Sequence, residues 1–251
     1  MSLPALLTRL RLPSRCFSRA SAIARLPLLK MTVIEHPLKP FIPDGAKLLV
    51  LGSFPPPRAR WSMDFFYPNF INDFWRICGL VFFSDKDHFV ARASDEVHNS
   101  NPQAPKPALL KRFDRERVIA FCREKGIAMF DTASAVRRLK GNASDKFLEV
   151  ARPTDISALL VQMPGCKAIA VTGQKALETF IEANSPISNG VPINVKDIRI
   201  GEPVAIKIPA GKSLMPANRE LLLFRMPSTS RAYPLSLEKK AEYYRKLFAY
   251  V

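Results

Sequence analysis

The chain has 251 residues, 47% of them apolar, enough to bury one sizeable core and short for two. Its formal charge of +16 favours polyanionic partners, either nucleic acid or an anionic membrane surface. No apolar run approaches the roughly 20 residues of a bilayer-spanning helix, and four scattered cysteines with three histidines give no metal-ligand spacing; this argues against membrane-spanning and metal-dependent roles.

Residues 1–30 carry Arg9, Arg11, Arg15, Arg19, Arg25 and Lys30 with no Asp or Glu. That composition fits a mitochondrial-type transit peptide, and a start at Met31, with a bacterial-type cytoplasmic protein, fits equally well. Either way the segment is expected to stand outside the fold, leaving +10 on residues 31–251.

Four short β-rich runs follow, Lys47–Gly52, Ile127–Phe130, Lys167–Thr172 and Leu221–Met226, each apolar enough to be buried on both faces. Helical periodicity separates them. Asp114 is placed to cap a helix that Gly126 stops, Thr154 a second, and Ser236 a third whose stripe is Leu237, Ala241, Tyr244 and Phe248. The alternation predicts an α/β fold, three layers built on a four-stranded parallel sheet. Residues 191–208 alternate around Gly201-Glu202-Pro203 and predict a hairpin, while the polar, proline-rich stretch 94–107 predicts a loop.

Three segments hold the polar and aromatic groups that could do chemistry. The first strand runs into Gly52-Ser53-Phe54-Pro55-Pro56-Pro57, at the carboxyl end where ligands bind in open α/β sheets. Phe66-Tyr67-Pro68-Asn69-Phe70-Ile71-Asn72-Asp73-Phe74-Trp75 packs five aromatics into ten positions. Pro227-Ser228-Thr229-Ser230-Arg231 follows the last strand with hydroxyls and backbone N–H groups suited to a phosphate. Each has a plainer reading as well: an Asn at a helix start is often a cap, aromatics are often core, and a Ser-Thr-Ser run is often a turn.

Together and in this order, the three segments resemble the uracil-DNA glycosylase superfamily, above all its hypoxanthine-DNA glycosylase and mismatch-specific thymine/uracil branches. The matching pieces are Gly52 to Pro55, Asn72 to Trp75 and Pro227 to Ser230, joined by a middle stretch from Phe130-Asp131 through Arg137, Gly141, Asn142, Ser144 and Asp145. The likeness covers nearly all of residues 41–248 and implies base excision from damaged DNA by a monomer without cofactor or metal. The chain departs from several branches in the first loop, where Ser53 and Phe54 replace a catalytic Asp, Asn or Glu. By resemblance the water-positioning role then falls to Asn72, with Asn69 the alternative because the proline that usually precedes that Asn is displaced to Pro68.

Glycosidic hydrolysis passes through an oxocarbenium-like state, so holding a water and stabilising the departing base both help. An amide holds water without taking its proton, which suits good leaving groups such as uracil or hypoxanthine. The resemblance places Ser53, Phe54, Tyr67, Phe66, Asp131 and Asn142 around the flipped base, with Tyr67 and then Phe66 as the stacking ring. It gives Ser228, Thr229 and Ser230 the DNA backbone, and Arg231 the gap in the stack. A non-catalytic DNA binder on the same fold is the competing reading. Ala210-Gly211-Lys212-Ser213 imitates the end of a phosphate-binding loop, but Ile206 stands where that motif needs glycine and Pro216 soon interrupts any helix.

Overall fold

The computed structural model of the protein describes residues 32–93, 108–139, 145–208 and 219–250. The extension at 1–30, the loop at 94–107, Gly141, Asn142 and the 210–213 segment lie outside the described residues.

The elements in chain order are β1 (Ile34–Glu35), β2 (Leu48–Gly52), α1 (Phe74–Phe83), β3 (Val90–Arg92), β4 (Leu109–Phe113) and α2 (Arg115–Lys125). They continue with β5 (Ile127–Asp131), β6 (Ala133–Arg138), β7 (Leu148–Pro153), α3 (Ile156–Val161), β8 (Ala168–Thr172) and α4 (Gln174–Asn184). The last are β9 (Ile187–Ser188), β10 (Val191–Pro192), β11 (Pro203–Lys207), β12 (Glu220–Met226) and α5 (Leu237–Phe248).

The expected four-stranded parallel sheet is corrected to a seven-stranded mixed sheet in the order β10-β9-β11-β12-β8-β2-β5. The four strands β12, β8, β2 and β5 pair in parallel, and β11 adds antiparallel to β12. A parallel strand must be covered on both faces, which is why Leu48–Leu51 and Ala168–Val171 are apolar throughout and at most 1% exposed. The sequence reading missed β11 as a strand of this sheet because its burial alternates around one inward residue, Ile206. It also missed a three-stranded sheet, β1-β6-β7, and the β3-β4 pair.

The hairpin expected around Gly201 is also corrected. The turn lies earlier, where Asn189 and Gly190 both take positive φ (49° and 81°) between β9 and β10, the geometry a two-residue hairpin turn requires. Gly201 instead lets Tyr243 of α5 close on the backbone, since a Cβ there would stand 2.4 Å from that ring. Asp114 and Ser236 cap α2 and α5 by accepting from Arg117 N and Lys239 N. Asp155, not Thr154, caps α3, because the Thr154 hydroxyl donates to Asp131 O at 2.7 Å.

The chain fills β2, then β5 on one side, then crosses back to β8 on the other. That reversal opens a crevice at the carboxyl ends of the strands.

Candidate functional site

Four neighbouring strands end at one level. Gly52 is paired with Asp131, Leu51 with Val171, and Met226 with Thr172, so the loops leaving β2, β5, β8 and β12 converge. They enclose a cavity of about 460 Å³ lined by Gly52 to Pro56, Phe66 to Asn69, Asn72, Asp131, Asp145, Thr172 and Ser228 to Ala232. Among the expected site residues, Ser53, Phe54, Phe66, Tyr67, Asn69, Asn72, Asp131, Ser228, Thr229, Ser230 and Arg231 all lie on its wall. Asn142 is outside the described residues.

Asp131 sits at the floor with a side chain only 10% exposed. Its Oδ2 accepts from His36 Nε2 at 2.9 Å. With the carboxylate ionised, Nε2 must carry the proton; the other ring nitrogen is held by the Leu38 backbone, 2.8 Å from its carbonyl and 3.1 Å from its N–H. Phe54, Phe66 and Phe130 surround the imidazole with centroids 5.2, 6.1 and 4.5 Å away. Oδ1 of Asp131 presses on the Gly52 backbone, where a Cβ would come within 2.4 Å of it. Among the described residues Oδ1 has no hydrogen-bond partner, and no buried side-chain oxygen or nitrogen lacks one, so Oδ1 opens onto the cavity.

Tyr67 holds a left-handed backbone (φ 50°), which turns its ring back over α1. Phe74 stacks on one face at 4.0 Å and 9°, and the hydroxyl lies 2.9 Å from Thr172 Oγ1. Burial pushes its phenol well above the usual range, and the Asp131 charge adds to that.

Asn72 Oδ1 accepts from Phe74 N at 2.9 Å in a turn just ahead of α1, whose N-cap is Asp73, while the residue lines the cavity. Asn69 Oδ1 makes a looser turn bond of 3.2 Å with Ile71 N. The cap reading of Asn72 is therefore corrected, since Asp73 takes that position; Asn72 Nδ2 and one Oδ1 lone pair remain for another partner.

The 228–231 loop is fastened from below. Asp73 N donates to Thr229 O at 2.9 Å, and the Asp73 carboxylate receives both Lys240 Nζ at 2.9 Å and Arg231 Nε at 3.2 Å. Lys240 is fully buried and also donates to Ser230 O. The Ser228 and Ser230 oxygens accept from Ser230 N and Ala232 N, which leaves both hydroxyl protons to donate outward. The Arg231 side chain is half exposed at the rim, and exposed Arg60 also lines the cavity.

Asp145 accepts from Ser53 Oγ at 2.8 Å. Desolvation, reinforced by nearby Asp131, holds its carboxyl above the ordinary value, while the Ser53 bond, Arg138 and Lys175 oppose that shift. Arg138 Nη2 donates to Pro55 O, and its guanidinium lies 5.7 Å from the Phe54 ring. Burial lowers its pKa.

The sequence reading missed His36, Asp73, Thr172 and Lys240 as site residues, and held Asp145 only as part of the middle stretch of the resemblance. His36 pairs across 95 positions, for which spacing gives no signal. Lys240 did carry one, being a cation one turn before Tyr244 on the apolar face of α5. Among the described residues no three His, Cys, Asp or Glu side chains cluster as a metal site, and no helix is long and apolar enough to cross a membrane.

No protein-family model and no curated protein matches the chain. Among solved structures it is similar to one described as "Solution NMR Structure of a putative Uracil DNA glycosylase from Methanosarcina acetivorans". That likeness has a TM-score of 0.48 at 17% identity and covers 87% of this chain and 99% of the other.

Proposed function

We propose that the protein is a monofunctional DNA glycosylase that hydrolyses the N-glycosidic bond of a flipped base, uracil or hypoxanthine. The observation that carries this reading is convergence: the Gly52–Pro55 loop, the Phe66–Asn72 aromatic segment and the Ser228–Arg231 loop, which resemble glycosylase motifs, line one cavity. A cavity with aromatic walls and a hydroxyl-rich, arginine-bearing rim on a +16 chain suits a base turned out of a duplex whose phosphates stay outside.

In this mechanism the ring of Tyr67 takes up part of the stacking that the base loses, with Phe74 holding it flat from behind. Asn72 orients the water through its free Oδ1 lone pair and Nδ2. Ser228 and Ser230 donate to phosphate, and Arg231, steered by Asp73, enters the vacated space.

The test is incubation of full-length protein with duplex oligonucleotides carrying a single uracil or hypoxanthine, followed by alkali. Strand cleavage at the lesion supports the reading. Tight binding without cleavage supports the competing reading, a DNA binder whose Asn72 serves only to hold the turn ahead of α1.

A further inference from the structure

The cavity combines an acidic interior with a basic rim. Arg60 and Arg231 line the cavity with exposed side chains, as a phosphate backbone requires. Inside, the polar groups nearest the Gly52 floor are the Asp131 carboxylate, the Tyr67 hydroxyl and Thr172, while Asp145, an exposed residue, lines the Ser53 side. Asp131 is nine-tenths buried and its Oδ1 is open to the cavity without a partner among the described residues. Phe54, Phe66 and Tyr67 add aromatic surface.

This arrangement has a definite electrostatic preference. Uracil leaves its sugar as an anion, and a fixed carboxylate beside it raises the energy of that state. A base that is already cationic leaves as a neutral molecule, and the same carboxylate and rings favour its binding. Asn72 cannot accept a proton from water, so the site depends on the quality of the leaving group, and a cationic purine is among the best. About 460 Å³ is ample for a two-ring base.

We propose that this site also excises N-alkylated, positively charged purines, with Asp131 Oδ1 facing the charged ring. The inference rests on the glycosylase reading above. The C1′–N9 bond breaks with both electrons going to N9, which cancels the ring charge and releases neutral alkylpurine. Water oxygen bonds to C1′ and its proton passes to solvent.

The experiment uses full-length protein at single turnover with duplexes bearing one 7-methylguanine, one uracil or one hypoxanthine, reading the released base by chromatography. The wild type should release 7-methylguanine at least about tenfold faster than the spontaneous rate. Asp131→Asn keeps an acceptor for His36 Nε2–H and removes the charge, so it should slow 7-methylguanine release at least about tenfold and speed uracil release. Excision of uracil or hypoxanthine with no 7-methylguanine release above background overturns the inference and leaves the glycosylase reading standing. An equal loss on both bases in Asp131→Asn also overturns it, since that would mark a charge-independent role. Release of no base at all overturns both readings. The wild-type comparison needs no variant and stands even if Asp131→Asn fails to fold.

Discussion

Lys240 Nζ, without solvent exposure, lies 2.9 Å from Asp73 Oδ2 and ties α5 to the N-cap of α1, a residue 167 positions away. Removing Lys240 leaves the buried Asp73 carboxylate with only the half-exposed Arg231 as its paired cation among the described residues. Lys240→Met should therefore cost about 3 kcal/mol of stability, and Asp73→Asn added to it should restore part of that loss. Urea unfolding of the single and double variants checks this. Additive losses would show that the pair is uncoupled.

Asn72→Ala should lower the single-turnover rate on uracil-containing DNA by at least about a hundredfold with nearly unchanged binding, as for a group acting chiefly in the transition state. Its Oδ1 also holds the turn that leads into α1, so a melting curve belongs beside the kinetics. A rate loss in Asn69→Ala without one in Asn72→Ala would move the water-holding role to Asn69.

Asp73 fixes Arg231 only at Nε, and the side chain is half exposed, so the guanidinium is aimed outward at low entropic cost. Arg231→Ala should weaken activity on duplex substrate far more than on single strands, which leave no partner base to replace. Equal losses on both substrates would reduce Arg231 to a phosphate contact or surface charge.

Gly52 is the point where the floor admits no side chain. Gly52→Ala would put a methyl 2.4 Å from Asp131 Oδ1, a carboxylate that His36 prevents from simply swinging aside. Loss of about 1–3 kcal/mol is expected, together with loss of base excision. Asp131→Ala in the same chain should recover stability but not 7-methylguanine release; failure to recover any stability would place the clash elsewhere.

Asp145 makes stability depend on pH in a predictable direction. Its carboxyl is held above the ordinary value of 3.8, chiefly by desolvation, so the fold favours the protonated form. That contribution is complete below the ordinary value and is lost as pH rises through the raised one. Denaturation midpoints measured across this window should fall less steeply with rising pH in Asp145→Asn. Parallel profiles for the two proteins would count against the shift.

The parts of this molecule legible in its sequence are those where one physical demand dominates. The runs Leu48–Leu51 and Ala168–Val171 announce themselves because burial on both faces tolerates no polar residue. Asp114 and Gly126 mark α2 because capping and a left-handed stop each need a particular side chain. Thr154 and Asp155 were confused because both can cap, and only the fold shows that the Thr154 hydroxyl is engaged by Asp131 O. The floor of the site was half legible. Asp131 stood out by resemblance, whereas its holder His36 and the Asp73–Lys240 brace arise from contacts between distant segments.

The convergence of Gly52, Asp131, Thr172 and Met226 at one level of four parallel strands bears on how the protein folds. A slip of one residue in any strand would turn its last side chain to the opposite face, so no partly assembled sheet carries a working cavity. Parallel pairing of segments this far apart closes late, because long loops must be ordered first. Base-binding capacity should thus appear in refolding with the slowest phase of native fluorescence, and a nascent chain would remain inert toward DNA until its last strand, β12, has docked.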